Sequence, residues 1–191
     1  MSVPCNPIDW ISFSNFNYYR NEVIQIGDFA QGGIVFYLAG PNEDLDGDGD
    51  PDNGFAVAPA GAIPDTTWGC QDTLLPGDFS TFVGFGKSNT DLLLEHCSES
   101  HAARLCDDLD LNSYSDWFLP SLDELRTMNC NVGLASPFTI ANPANIQFGS
   151  YWTSSQKEMN VAYSSTLSEK GEGVSCVSKE DVRKVRAIRV F

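Results

Sequence analysis

Pro120 and Ser121 fix a place where a strand must stop and a helix must start. Proline disfavours the helical region for the residue before it, so Leu119 is held extended. Ser121 and Glu124, three positions on, form a capping box. The hydroxyl accepts the Glu124 amide proton and the carboxylate reaches back to the Ser121 amide. Around this junction the chain changes texture. Residues 34–38 form an apolar run suited to a strand buried on both faces, and residues 54–58 return after an acidic loop to make a hairpin. Asn89 or Thr90 offers an N-cap for a helix over 91–96, and Ala102, Ala103, Leu105 and Leu109 sit close to helical spacing. Residues 150–155, 161–167, 174–177 and 184–191 read as strands. The last alternates, with Val185, Ala187, Arg189 and Phe191 on one face and Arg186, Ile188 and Val190 on the other. Helices in the middle and strands at both ends predict a mixed α+β domain with short helices and antiparallel strands.

A chain of 191 residues is one domain, with a core large enough to be stable, and residues 1–25 read as an aromatic N-terminal extension to it. The net charge of −15 opposes binding to nucleic-acid phosphates or anionic lipid. No apolar run approaches the ~20 residues that span a bilayer. Met1 to Cys5 lacks the apolar core of a signal peptide, so an exported protein would be read here in its mature form. Six dispersed cysteines without a close pair favour three disulfides in an oxidising compartment, although six cysteines allow about 15 pairings.

The sharpest local chemistry lies at residues 43–54, an acidic insertion between the first two strands. Asp44, Asp46, Asp48, Asp50 and Asp52 alternate, and such carboxylates repel one another unless a cation gathers them. Asp44, Asp46, Asp48 and Gly49 match positions 1, 3, 5 and 6 of a calcium loop, but position 12 is Phe55 rather than glutamate. The expectation is a structural Ca²⁺ site.

Catalytic patterns are weak. His96 and His101 lie near Cys97 and Cys106 but do not complete a zinc set or an oriented nucleophile. Residues 81–88 nearly match a phosphate-binding loop, with Thr81 in place of its first glycine. The neighbouring Asp107 and Asp108 suit a solvated helix end. The reading is therefore not an enzyme.

Three successive signatures carry a resemblance. They are residues 115–125 (SDWFLPSLDEL), residues 151–155 (YWTSS) and residues 182–191 (VRKVRAIRVF). Together, over residues 26–191, the chain resembles the C-terminal domain family of bacterial collagen-like adhesins (the Lcl C-terminal domain), related to the C-type-lectin-like folds. The resemblance implies a C-type-lectin-like domain in which Trp117, Tyr151 and Trp152 are core residues. It implies a disulfide between Cys70 and Cys97, because family members often pair a Trp-Gly-Cys with a later cysteine. Glu124 then either caps its helix or pairs with Arg186 or Arg189 on the last strand. The implied function is extracellular or cell-surface adhesion to a glycan or protein, without membrane insertion and with possible homo-oligomers. Contact residues are expected on irregular late segments, at Gln156, Lys157, Glu158, Tyr163, Lys170, Glu172 and Lys179. Two alternatives remain open: a retroelement-diversified protein-binding receptor, and a structural subunit of a bacterial surface appendage.

Overall fold

The computed structural model describes residues 18–19, 22–77, 79–98, 101–133, 144–168 and 171–191. Two short strands, β1 (Tyr18–Tyr19) and β2 (Glu22–Val23), pair with each other, and most of the N-terminal extension lies outside the described residues. A four-stranded antiparallel sheet follows in the order β3 (Phe29–Ala30), β4 (Gly33–Leu38), β5 (Gly54–Val57) and β9 (Ile188–Val190). Three helices, α1 (Gly86–His96), α2 (His101–Asp107) and α3 (Leu122–Val132), follow β5 in sequence and precede a second sheet, after which β9 returns to the first. That sheet is an antiparallel meander of β6 (Gly149–Glu158), β7 (Val161–Ser168) and β8 (Gly171–Ser178). The architecture is mixed α+β, and the acidic loop closes the β4–β5 hairpin as the sequence predicts.

The final segment stitches the sheets together. Lys184 exchanges backbone bonds with Ser150 and Trp152 on β6, at 3.0 and 2.9 Å. Four residues later Ile188 exchanges them with Phe118, at 2.8 and 3.0 Å. Pro120 O in turn accepts Ser154 N–H at 2.8 Å.

Because successive strand residues face opposite ways, each strand feeds two cores. Trp117, Leu119, Trp152, Val185 and Ala187 join Trp68, Leu93 and Ala102 in one. Phe118, Tyr151, Ile188 and Val190 join Phe36, Phe55, Leu125 and Met128 in the other. The core roles expected of Trp117, Tyr151 and Trp152 hold, and the alternation read along the last strand holds with them.

The start of α1 differs from expectation. Asn89 and Thr90 do not cap it, because the helix begins at Gly86 and both side chains are buried within it. Asn89 Nδ2 donates to Ser80 O at 2.8 Å, and Thr90 Oγ1 accepts Leu119 N–H at 3.1 Å. Tertiary partners take up polar groups that a cap would otherwise use.

The three-bridge expectation is also corrected. Cys70 and Cys97 are bonded, with Cα atoms 5.8 Å apart, and Cys130 is disulfide-bonded as well. Cys106 and Cys176 are free thiols, one buried between α2 and the core and the other exposed on β8. Burial pushes the Cys106 thiol far up, so it stays protonated and unreactive. Alkylation of the folded protein is expected to modify Cys176 and to spare Cys106 until denaturant is added, as peptide mapping by mass would show.

Candidate functional site

The sequence-predicted residues divide into an internal set and a surface set. Glu124 belongs wholly to the interior. Its Oε2 accepts Ser121 N–H at 2.8 Å, and Glu124 N–H donates to Ser121 Oγ at 3.3 Å, completing the predicted capping box. Its Oε1 accepts two further amides, Gly84 N–H at 2.9 Å and Gly86 N–H at 3.0 Å. The glycine-rich stretch that resembles a phosphate loop is thus an anion cradle filled by the protein's own carboxylate. Gly86 is required by this contact, since a Cβ there would overlap Glu124 Oε2 and press on the Phe118 ring. Burial raises Glu124 to about 7, opposed by the three backbone donors.

Glu124 does not pair with the terminal arginines. Arg189 binds Asp116 through two bonds of 2.7 Å, donates to Gln31 O at 3.1 Å and stacks 4.0 Å from the Tyr114 ring centre. Arg186 is buried and donates to Ala144 O. Arg189 lies on β9 and Arg186 lies two residues before that strand, and among the described residues neither bonds to Glu124.

The late segments expected to be irregular are β6, β7 and β8 with their turns. Three of the expected contact residues hold the fold together instead. Lys179 is 0% exposed, with Nζ donating to Cys70 O, Thr73 O and Gln156 Oε1 at 3.2, 2.9 and 2.8 Å, 4.6 Å from the Trp68 ring centre. Its neighbour in this cage, Gln156, is only partly exposed and also donates to Leu75 O. Glu172 turns inward, accepting Ser165 Oγ–H at 2.7 Å and lying 3.5 Å from Arg126 Nε. Lys170 lies outside the described residues.

Desolvation lowers Lys179 from about 10.5 to about 8. The folded chain then holds fewer protons than the unfolded chain between those values, so stability rises with pH across the window. Urea unfolding from pH 8 to 10 is expected to show this rise, and Lys179→Met is expected to flatten it.

What remains on the surface is a patch of the second sheet. Lys157 and Glu158 are exposed, and Lys157 Nζ lies 5.8 Å from the centre of the half-buried Tyr163 ring. Tyr163 faces Cys176 directly across β7 and β8, and Val174, two residues along, is exposed. A cation over an aromatic ring beside apolar groups suits stacking contact with a sugar or a protein side chain.

The acidic loop brings three of its five aspartates together. One carboxylate oxygen from each of Asp44, Asp46 and Asp48 lies within 4.8 Å of the others. Asp44 accepts Gly47 N–H at 2.7 Å and Gly49 N–H at 3.0 Å, and these donors, Gly47 foremost, hold its carboxyl below the usual range. Asp52 is drawn away to accept Leu45 N–H at 2.6 Å, and Asp50 stands outside the trio. Phe55, at the twelfth position, is buried in β5 and supplies no ligand. The remaining sequence candidates are accounted for: Cys97 is committed to its disulfide, and His101 Nδ1 lies 2.6 Å from Thr67 Oγ1.

Neither a protein-family model nor a curated protein sequence matches the chain. Among solved structures, its fold is similar to that of a fimbrial protein from Bacteroides ovatus, with a TM-score of 0.55 and 14% identity. The likeness covers 88% of this chain and 45% of that one, so the chain spans less than half of the protein it matches.

Proposed function

We propose that this chain is a structural domain of a bacterial surface appendage, without catalytic chemistry of its own. The observation that carries the reading is the fold likeness to a fimbrial protein over 88% of the chain. The Cys70–Cys97 disulfide adds to it, since such bonds persist in oxidising compartments outside the cytosol. In the described residues no helix is long and apolar enough to cross a membrane. Mechanical shearing of cells that produce the protein tests the proposal. The chain is expected in the sheared appendage fraction, and its retention with cytosolic markers would refute the reading.

The exposed Lys157–Tyr163 patch supports a second, finer role as a recognition surface for a glycan or protein. In this reading the domain is lectin-like and akin to the collagen-like adhesin C-terminal domains. Glycan and protein arrays probed with wild type and with Tyr163→Ala separate the roles. Binding lost in the variant favours recognition, whereas equal signals leave only the scaffold role. A reverse transcriptase gene and a mutated repeat beside the coding locus would favour the diversified-receptor version, and their absence removes it.

A structural Ca²⁺ held by Asp44, Asp46 and Asp48 fits this picture, because the ion takes oxygen ligands at about 2.3–2.6 Å. It would neutralise the loop between β4 and β5. Titration of chelator-treated protein is expected to give binding heat and a higher melting temperature. Absence of both removes calcium from the account.

A further inference from the structure

Among the described residues β8 pairs only with β7, which leaves it as the outer strand of its sheet. Two bonds set the phase of its backbone. Lys179 N–H donates to Asn160 O at 3.0 Å, and Tyr163 O accepts the Thr153 hydroxyl, 2.9 Å away on the β6 side. With Val161 opposite Ser178, residues 173, 175 and 177 must turn their N–H and C=O groups toward β7. Val174, Cys176 and Ser178 turn theirs away from the sheet. Proteins ordinarily blunt such an edge with proline, lysine or a bulge. The sequence of β8, GEGVSCVS, has neither proline nor lysine, and its pairing with β7 runs in unbroken register over all 8 residues.

Charge limits where a second copy can approach. The chain carries −15, so most of its surface repels a second copy. On β8 the one charged residue, Glu172, is turned inward to Ser165 and Arg126, and residues 173–178 carry no charge. Val174 and Cys176 are exposed there. The strand is a neutral, hydrogen-bonding stripe on an acidic molecule.

We propose that β8 is a homotypic interface, in which the β8 strands of two copies pair antiparallel about a twofold axis at Cys176. Such pairing is self-complementary, as a twofold contact requires. Facing residues in a hydrogen-bonded antiparallel pair have Cα atoms about 5.5 Å apart. That lies inside the range of roughly 4.4–6.8 Å that a disulfide spans. The two Cys176 thiols can therefore be joined by a disulfide-donating oxidant such as oxidised glutathione. One thiolate attacks the glutathione disulfide and releases a glutathione thiol; the partner thiolate then displaces the second. Two protein thiols lose two electrons and two protons in total, and one glutathione disulfide becomes two thiols. The proposal does not depend on the appendage reading.

Sedimentation equilibrium of the full chain with its native disulfides intact and Cys176 as the free thiol, followed by oxidation with glutathione disulfide, tests it. The wild type is expected to reach twice its 20.9 kDa mass without oxidant and to become cross-linked at Cys176–Cys176 with it. Cys176→Ser should keep the dimer and lose the cross-link. Val174→Pro removes an outward N–H without touching the β7 ladder, and should weaken the dimer by about tenfold or more with an unchanged circular dichroism spectrum. Val174→Lys should weaken it similarly if the proline variant folds poorly. A monomer at every soluble concentration overturns the proposal. So does a dimer indifferent to both Val174 substitutions, or oxidation that yields only a glutathione adduct on Cys176.

Discussion

Glu124→Ala is expected to be among the most damaging single substitutions in this domain, costing about 4 kcal/mol, because it leaves the buried amides of Gly86 and Ser121 and the part-buried amide of Gly84 without an acceptor. For a chain of this size, a loss of that order lowers the melting temperature by roughly 8–16 °C. Glu124→Gln should cost about half as much. Its carbonyl oxygen can still serve Gly84 and Gly86, but its amide group meets the Ser121 N–H donor to donor. Gly86→Ala attacks the same contact from the other side by pushing a methyl group into the carboxylate. Because these changes share one contact, the cost of Gly86→Ala should shrink in the Glu124→Ala background. The pH dependence has a definite sign. Glu124 is raised from 4.5 to about 7, so the folded state holds a proton that the unfolded state has released between those values. Its contribution is whole below pH 4.5 and lost as pH rises through 7, worth about 3 kcal/mol in total. Urea unfolding at a series of pH values should show stability falling over that window, and Glu124→Gln should flatten part of the fall. Equal slopes in variant and wild type would show that Glu124 is not the titrating group.

Replacing both Cys70 and Cys97 by alanine is expected to cost about 3.5 kcal/mol, the loop-closure value for their separation of 27 residues. The melting temperature should fall by about 10 °C. The bond joins the end of α1 to the segment from Trp68 to Leu75, and Cys70 O is one of the three acceptors around Lys179. Loosening that segment admits water to the lysine, so the variant should also lose part of the stability rise between pH 8 and 10. A large fall in melting temperature with an unchanged alkaline profile would mean that the disulfide and the lysine cage are independent.

Local sequence signals carried the parts of the fold whose causes are local. The Pro120–Ser121–Glu124 pattern specifies a junction through backbone sterics and two short-range bonds, and α3 begins where it requires. Apolar alternation placed Val185, Ala187, Ile188 and Val190 on their proper faces, because a strand buried on both sides must alternate. Long-range polar partners were illegible. Nothing near Lys179 in sequence announces Trp68 or the carbonyls of Cys70 and Thr73, more than 100 residues away. A lysine in a polar tail segment reads as solvated until the tertiary fold buries it. The same holds for Arg189, whose partner Asp116 is 73 residues distant. One signal was present in plainer form. Gly84 and Gly86 had the look of an anion-binding loop, and a glutamate already committed to a helix cap was available to fill it. The candidate surface was half legible, since Lys157, Glu158 and Tyr163 face outward while Gln156, Glu172 and Lys179 hold the sheet together.

The central claim is that this domain works as part of an appendage on the cell exterior. Immunogold electron microscopy of intact producing cells, with an antibody to the folded domain, addresses it most directly. The account predicts gold particles along filaments projecting from the surface, lost when the gene is deleted. Gold confined to the cytoplasm of sectioned cells, with bare filaments, would contradict it.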